Sequence, residues 1–161
     1  VTDPGTSDMA FATAELTAFV EESNRIEGIH RVTEGEIAAH RMLLGRAKLT
    51  TRLLRDFVAE VAAAPLRTVA GMNVRVGGHV PPPGGPEIEA ALDGLLSEIN
   101  LGVLTPYEGH VAYEKLHPFI DGNGRSGRAV WAWQMIEAGQ NPFALPFLHR
   151  FYYQTLDASR D

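Results

Sequence analysis

The sequence predicts an all-α domain, a helical bundle with one short β-hairpin. Three observations carry that expectation. Apolar residues recur at helical spacing over most of the chain, Thr-led capping signals stand before several of those runs, and a single stretch, Met72 to Val76, alternates with period two. The 161 residues fit one domain. A chain of that length buries roughly 70% of its unfolded surface and needs no staple to hold a core. The composition, 45% hydrophobic and 21% charged, is that of an ordinary globular protein.

Composition also excludes several functions. With no cysteine, disulfides, zinc ribbons and thiol nucleophiles are ruled out. The chain has 14 basic and 20 acidic side chains, a net charge of −6, which speaks against a generic nucleic-acid partner. No apolar run approaches the ~18 residues of a membrane span, and the chain does not open with a basic-then-apolar leader. These features predict a soluble, cytoplasmic domain with neither nucleic acid nor membrane as partner.

The elements follow in order. Residues 1–8 are turn formers and are expected to be disordered. From Met9 to Ile26, Phe11, Leu16, Phe19, Val20 and Ile26 keep helical spacing until Gly28 breaks it. Thr33 and Glu36 form a capping box opening a helix with Ile37, Met42 and Leu43. Thr51 opens a third helix that runs through Val61–Ala64 to Pro65. Met72, Val74 and Val76 then alternate with Asn73 and Arg75 before Gly77-Gly78, a hairpin signal. The returning arm, His79-Val80-Pro81-Pro82-Pro83, can only be an edge; an irregular Gly/Pro loop fits the pattern equally well. Ile88–Ile99 is helical. Thr105-Pro106-Tyr107-Glu108 starts a helix ending near Leu116. A long apolar helix covers about Asn123–Ala138, closed by Gly139, and a last helix runs from about Leu145 to Asp157. Trp131 and Trp133 read as packing, and His110 as a hydrogen-bonded core residue.

The segment His117-Pro118-Phe119-Ile120-Asp121-Gly122-Asn123-Gly124-Arg125-Ser126-Gly127-Arg128 is unlike the rest. It places a base, a carboxylate, an amide, three glycines and two guanidiniums between two helices. Backbone N–H groups at a helix start are unsatisfied and sit at the positive dipole end, so glycines there make a phosphate cradle. Arg125 and Arg128 stand near one face of the first turn and suit a polyphosphate. Asp121 is an oxygen ligand of the type Mg²⁺ takes. His117 can accept a proton near neutral pH. The embedded G-x-G-x-x-G is not a dinucleotide fingerprint, because a capped helix precedes it where a strand is required. Singly, each residue fits a structural turn with solvated arginines; together they read as an anion site.

This segment resembles the Fic-domain signature, HPFx(D/E)GNGRxxR, and matches it at every defined position. The resemblance implies the all-α Fic fold and transfer of AMP from ATP to a Ser, Thr or Tyr hydroxyl of a target protein, or of the chain itself. It implies His117 as general base, Asp121 as the Mg²⁺ ligand, and Gly122, Asn123 and Gly124 as the anion hole, with the Asn123 side chain on the α-phosphate. Arg125 is then expected on the β-phosphate and Arg128 on the γ-phosphate, with Phe119 a buried anchor.

A second match, Ser23-Asn24-Arg25-Ile26-Glu27-Gly28, resembles the Fic inhibitory motif (S/T)xxxE(G/N). It implies that Glu27 pairs with Arg128 in the place of the γ-phosphate, with Ser23 beside it. The resemblance divides the chain into N-terminal helices over 9–32 and a Fic core over 33–161. It makes residues 72–83 a target-docking flap carrying Val74, Arg75, Val76 and Gly77. It also places Tyr153 and Leu156 in the adenine pocket, although Arg160 stands where many relatives have Asn. Removal of AMP, transfer of another phosphate-containing group, and a non-catalytic ATP-sensing module are the alternatives. A homodimer is left open.

Overall fold

The computed structural model describes residues 13–143. Among them the chain forms six helices: α1 (Thr13–Ile26), α2 (Glu34–Leu44), α3 (Thr51–Val61), α4 (Pro86–Leu101), α5 (Pro106–Leu116) and α6 (Asn123–Glu137). The expected disorder over 1–8, the last helix, and Tyr153 and Leu156 lie outside the described residues.

Local chemistry accounts for most of the boundaries. Thr33 and Glu36 close a reciprocal capping box on α2, and Thr105 and Glu108 do the same on α5. Helix α3 is capped by Thr50, whose side chain accepts from Leu53 N–H, so Thr51 is its first helical residue. α1 ends in a Schellman motif. Gly28 N–H donates to Arg25 O at 2.9 Å and Ile29 N–H to Asn24 O at 3.0 Å, with Gly28 left-handed at φ 76°. Only a glycine takes that conformation without strain, and it leaves Glu27 standing at the very end of the helix.

α3 is shorter than the alanine-rich run suggests. It ends at Val61 rather than Ala64, because the N–H groups of Ala62 and Ala63 both turn back to Val58 O and Ala63 is left-handed at φ 50°. The Val61 carbonyl freed there is taken by the Arg125 guanidinium, a partner from α6.

The expected β-hairpin is not formed as a pair of strands. Residues 72–83 make a two-residue turn at Gly77-Gly78 closed by one antiparallel bridge, Val76 to His79. The three prolines of the returning arm carry no N–H, so that arm has no donors with which to continue the ladder. The alternation itself survives: Met72, Val74 and Val76 are half-buried, while Asn73, Arg75 and Gly77 are exposed.

α6 is the axis of the bundle. It packs against α1, α2, α3 and α5. From Arg125 to Met135 every residue is buried, Trp131 and Trp133 included. Four neighbouring helices enclose it, so its polar side chains, Arg125, Ser126, Arg128 and Gln134, are buried with its apolar ones. Phe19, Leu54, Phe57, Leu92, Tyr113 and Phe119 complete the core around it. Met42, an apolar residue of α2, is exposed. No helix among the described residues is long and apolar enough to cross a membrane.

Two histidines are sealed into this core. His40 packs edge-on to Phe19 and Phe57, at ring centroid distances of 6.1 and 4.7 Å, and bonds the Glu36 carbonyl through Nδ1 at 2.7 Å. His110 bonds the Gly127 carbonyl through Nδ1 at 3.1 Å, joining α5 to α6. Burial lowers both rings to about 4, against an ordinary histidine value of 6.5. The unfolded chain therefore takes up protons that the folded chain refuses. The stability contributed is complete above pH 6.5 and is lost as pH falls from 6.5 toward 4, by up to roughly 3 kcal/mol per ring. Urea unfolding at pH 7, 5.5 and 4.5 should show this decline, and His40→Gln should make it shallower.

Candidate active site

The site is built where α5 hands over to α6. α5 stops at His117, which takes a left-handed conformation (φ 49°, ψ 62°) with its N–H on Tyr113 O. The chain then turns through Pro118–Asp121 and enters α6 at Gly122, which is also left-handed. Phe119, fully buried, pins the turn to the core. Its backbone is gripped on both sides by Asn123, whose Oδ1 accepts from Phe119 N–H at 2.9 Å and whose Nδ2 donates to Phe119 O at 2.8 Å. Ser126 donates to Gly122 O at 2.7 Å and meets the Tyr113 hydroxyl at 2.7 Å. On the outer side, Pro65–Arg67 runs beside Pro118–Ile120 in a strand-like pairing, with Arg67 N–H on Pro118 O at 2.9 Å and Ile120 N–H on Pro65 O at 3.1 Å.

All of these bonds but the one between Ser126 and the Tyr113 hydroxyl hold backbone. The result is a helix start fixed in space, whose unsatisfied N–H groups form an anion-binding end. The side chain of Asn123 is committed to the turn, so its backbone N–H is what this residue offers an anion. Arg125 is buried with Nη1 on Val61 O, and its Nη2 lies 4.0 Å from Asp121 Oδ1. Asp121 is exposed, with Oδ1 accepting from Gly122 N–H at 2.7 Å.

Arg128 is almost wholly buried, one turn further along α6, and reaches α1. Nε donates to Ser23 Oγ at 2.8 Å, and Nη2 to Ser23 O at 3.0 Å and to Glu27 Oε1 at 2.8 Å. The Glu27 carboxylate comes so close to the start of α6 that a Cβ on Gly124 would collide with Oε1. Gly124 is therefore the gap that admits the carboxylate. An anion already occupies the helix start, where one is favoured.

His117 faces the same space. Burial lowers its pKa below the ordinary histidine value, and the nearby charges of Arg67 and His79 push the same way. Glu27 and the Glu114 carbonyl oppose them. Nδ1 is buried against that carbonyl without closing a hydrogen bond. A proton on Nδ1 leaves the lone pair on Nε2, the more open nitrogen, to act as base.

A metal held by protein groups alone has no place among the described residues, where no three acidic or histidine side chains converge. Asp121 fits the other mode of magnesium binding, one carboxylate with phosphates supplying further oxygens.

A model of the Fic/DOC family matches residues 25–135. The chain belongs to the Fic/DOC family. Among its relatives are proteins named protein adenylyltransferase Fic. That of Drosophila willistoni is 40% identical over 89 residues, covering 50% of this chain and 18% of the relative. That of Drosophila persimilis is 38% identical over 89 residues, 50% of this chain and 17% of the relative. That of Culex quinquefasciatus is 33% identical over 96 residues, 55% of this chain and 19% of the relative. The chain thus spans less than a fifth of the length of these curated relatives.

The fold brings together His117, Asp121, Gly122, Asn123, Gly124, Arg125, Arg128, Ser23 and Glu27. The turn with Val74, Arg75, Val76 and Gly77 is tied to the end of α5 through His79 Nε2, which donates to Lys115 O at 3.0 Å. Sequence reasoning missed two residues. Asn24 lies inside the Ser23–Gly28 motif and donates to Glu36 Oε2 at 3.1 Å, locking α1 onto the capping box of α2. Arg67 follows Pro65 in a stretch without periodicity, and its partners range from Met72, five residues on, to His117, fifty residues on. Removing the Asn123 amide should strand the buried N–H and C=O of Phe119. Asn123→Ala is expected to cost about 1–3 kcal/mol in denaturant unfolding. Asp121→Ala, at an exposed position, should change stability far less.

Proposed function

We propose that the chain is an autoinhibited protein adenylyltransferase that moves AMP from ATP to a Ser, Thr or Tyr hydroxyl of a target protein. One observation carries this reading: a neutral base, His117, stands beside an anion-binding helix start whose last cation, Arg128, is held by Glu27. The target oxygen attacks the α-phosphorus, an O–P bond forms, and the bond to the β-phosphate breaks with release of pyrophosphate. His117 Nε2 takes the hydroxyl proton. The N–H groups of Asn123 and Gly124, joined by that of Gly122 once Asp121 Oδ1 releases it, receive the charge growing on the α-phosphate oxygens. Arg125 clamps the β-phosphate, and Arg128 awaits the γ-phosphate.

Asp121 would hold Mg²⁺, which when bound neutralises charge on the departing pyrophosphate. The segment 72–83, with Val74 and Val76 on one face and Arg75 and Gly77 on the other, docks the target by main-chain bonds. Autoinhibition follows from charge. While Glu27 occupies Arg128, the γ-phosphate has no partner and meets a carboxylate at the helix start.

Glu27 also faces His117, and that favours a second reading, hydrolytic removal of AMP from a modified target with Glu27 orienting the water. Tight ATP binding without transfer would instead mark a nucleotide-sensing module.

Labelling a cell lysate with [α-³²P]ATP separates these readings. Glu27→Gly should raise AMP incorporation by roughly tenfold or more, the equivalent of freeing ~1.4 kcal/mol. In that background His117→Ala should lower it by about 10²–10⁴-fold, the usual worth of a general base. No incorporation by Glu27→Gly, or persistence in His117→Ala, would overturn the assignment. The acid limb of the rate–pH profile should fall with a midpoint below 6.5, because His117 must be neutral to act and its pKa is lowered. A midpoint above 6.5 would be inconsistent with His117 as the base.

A further inference from the structure

Arg67 is fully buried, and among the described residues no carboxylate pairs with it. A buried cation without a counter-charge is costly unless its donors are satisfied. Here every donor contact goes to a backbone carbonyl. Nε donates to His117 O at 2.7 Å and Nη2 to Leu116 O at 3.0 Å. Nη1 donates to Met72 O at 3.1 Å and to Pro82 O at 2.9 Å.

The four acceptors belong to two groups. Leu116 and His117 end α5, where carbonyls lack helical partners and the dipole is negative. Met72 and Pro82 lie at the two ends of the segment 72–83, which has only one bridge of its own. The backbone of Arg67 strengthens the link, since its N–H donates to Pro118 O and its carbonyl accepts from Gly85 N–H, both at 2.9 Å. A single planar fork thus spans the residue carrying the base and the segment beside it.

We propose that Arg67 is a positioning residue, holding His117 and the segment 72–83 at one fixed separation so that a hydroxyl docked along the segment arrives at His117 Nε2. The inference rests on the reading of His117 as base and of 72–83 as docking segment. The chemistry explains why arginine stands there. His117 has a left-handed backbone, which a residue with a Cβ resists unless its surroundings impose it. A guanidinium bonding its carbonyl imposes it. Lysine keeps the charge but concentrates its donors at one point and cannot reach four carbonyls in a planar fork. The charge matters separately. His117 faces Arg67 as a cation, Glu27 as an anion, the His79 ring and the Glu114 carbonyl from α5, so removing Arg67 tips that balance toward the imidazolium.

The test uses the full chain as Glu27→Gly, with Arg67→Lys or Arg67→Met added. Three readouts apply: AMP incorporation from [α-³²P]ATP into lysate protein, ATP affinity by calorimetry, and the His117 ring followed by NMR against pH. Both variants should lose incorporation by roughly tenfold to a hundredfold, as a misplaced reactive group does. ATP affinity should stay within about twofold, because Arg67 contacts none of the anion-binding groups at the start of α6. The His117 midpoint should rise in Arg67→Met and stay low in Arg67→Lys. Amide exchange should quicken together over 72–83 and 117–120 in both.

An unmoved His117 midpoint in folded Arg67→Met, or faster exchange in only one of the two segments, would overturn the proposal. If Glu27→Gly alone incorporates no AMP, the enzymatic reading falls, while ring titration and exchange still judge the clamp. Should neither variant fold, native-state exchange on the unsubstituted chain decides. The amides of Val76, His79 and Arg67 should open in one event, and separate openings would refute the clamp.

Discussion

A guanidinium buried in the central helix must find acceptors, and that requirement organises this protein. Arg128 sits at 1% exposure in α6 and its needs are met from α1, by the Ser23 hydroxyl, the Ser23 carbonyl and the Glu27 carboxylate. For those three groups to converge, α1 must stop where it does. The Gly28 Schellman turn stops it there and leaves Glu27 at its tip. Asn24, on the same turn, reaches the other way to Glu36 and carries the constraint into α2. One charge in α6 thereby sets the placement of two further helices. The ion pair is also asymmetric: the Arg128 side chain is 1% exposed and that of Glu27 38% exposed. Water reaches the carboxylate far more readily than the guanidinium, so the carboxylate is the partner a competing anion can displace.

The turn between α5 and α6 obeys a related economy. Asn123, Ser126, Phe119 and the Pro65–Arg67 strip all hold main chain, and none of them presents its own side chain to a ligand. What they leave open is the one group of donors a helix cannot satisfy for itself, the N–H groups of its first turn. His117 is placed by the same economy. Its backbone closes α5, and its ring, desolvated and flanked by positive charge, stays neutral. The proposed base and the proposed anion site are therefore consequences of two adjoining helix ends.

Much of this was legible in the residues. The capping boxes at Thr33 and Thr105, the Gly28 stop, the burial of Trp131, Trp133 and His110, and the grouping of His117 with Asp121–Arg128 are local or periodic signals, and each appears as read. The Glu27–Arg128 contact spans a hundred residues, yet two short motifs pointed to it. Other readings did not hold. The hairpin was read from alternation and a Gly-Gly turn, but three proline residues lack the donors that pairing requires. The sequence carries α3 to Pro65, but the Ala62 and Ala63 N–H groups turn back to Val58 O and Arg125 takes the Val61 carbonyl. Met42 kept helical spacing and still faces out.

By itself, the sequence determined which segments become helices and where the chemistry-bearing residues cluster, since caps, glycine stops and apolar spacing act over a few residues. Only the tertiary structure decided what each buried polar group bonds. It put Arg67 on four carbonyls from two distant segments and took the Asn123 side chain for the turn. It also opened at Gly124 the space into which Glu27 fits. Those outcomes depend on which donors and acceptors are brought together away from water, and a buried donor must bond whatever acceptor the packing supplies. No local pattern carries that information, because the partners are mostly backbone, the part of every residue that the sequence leaves unnamed.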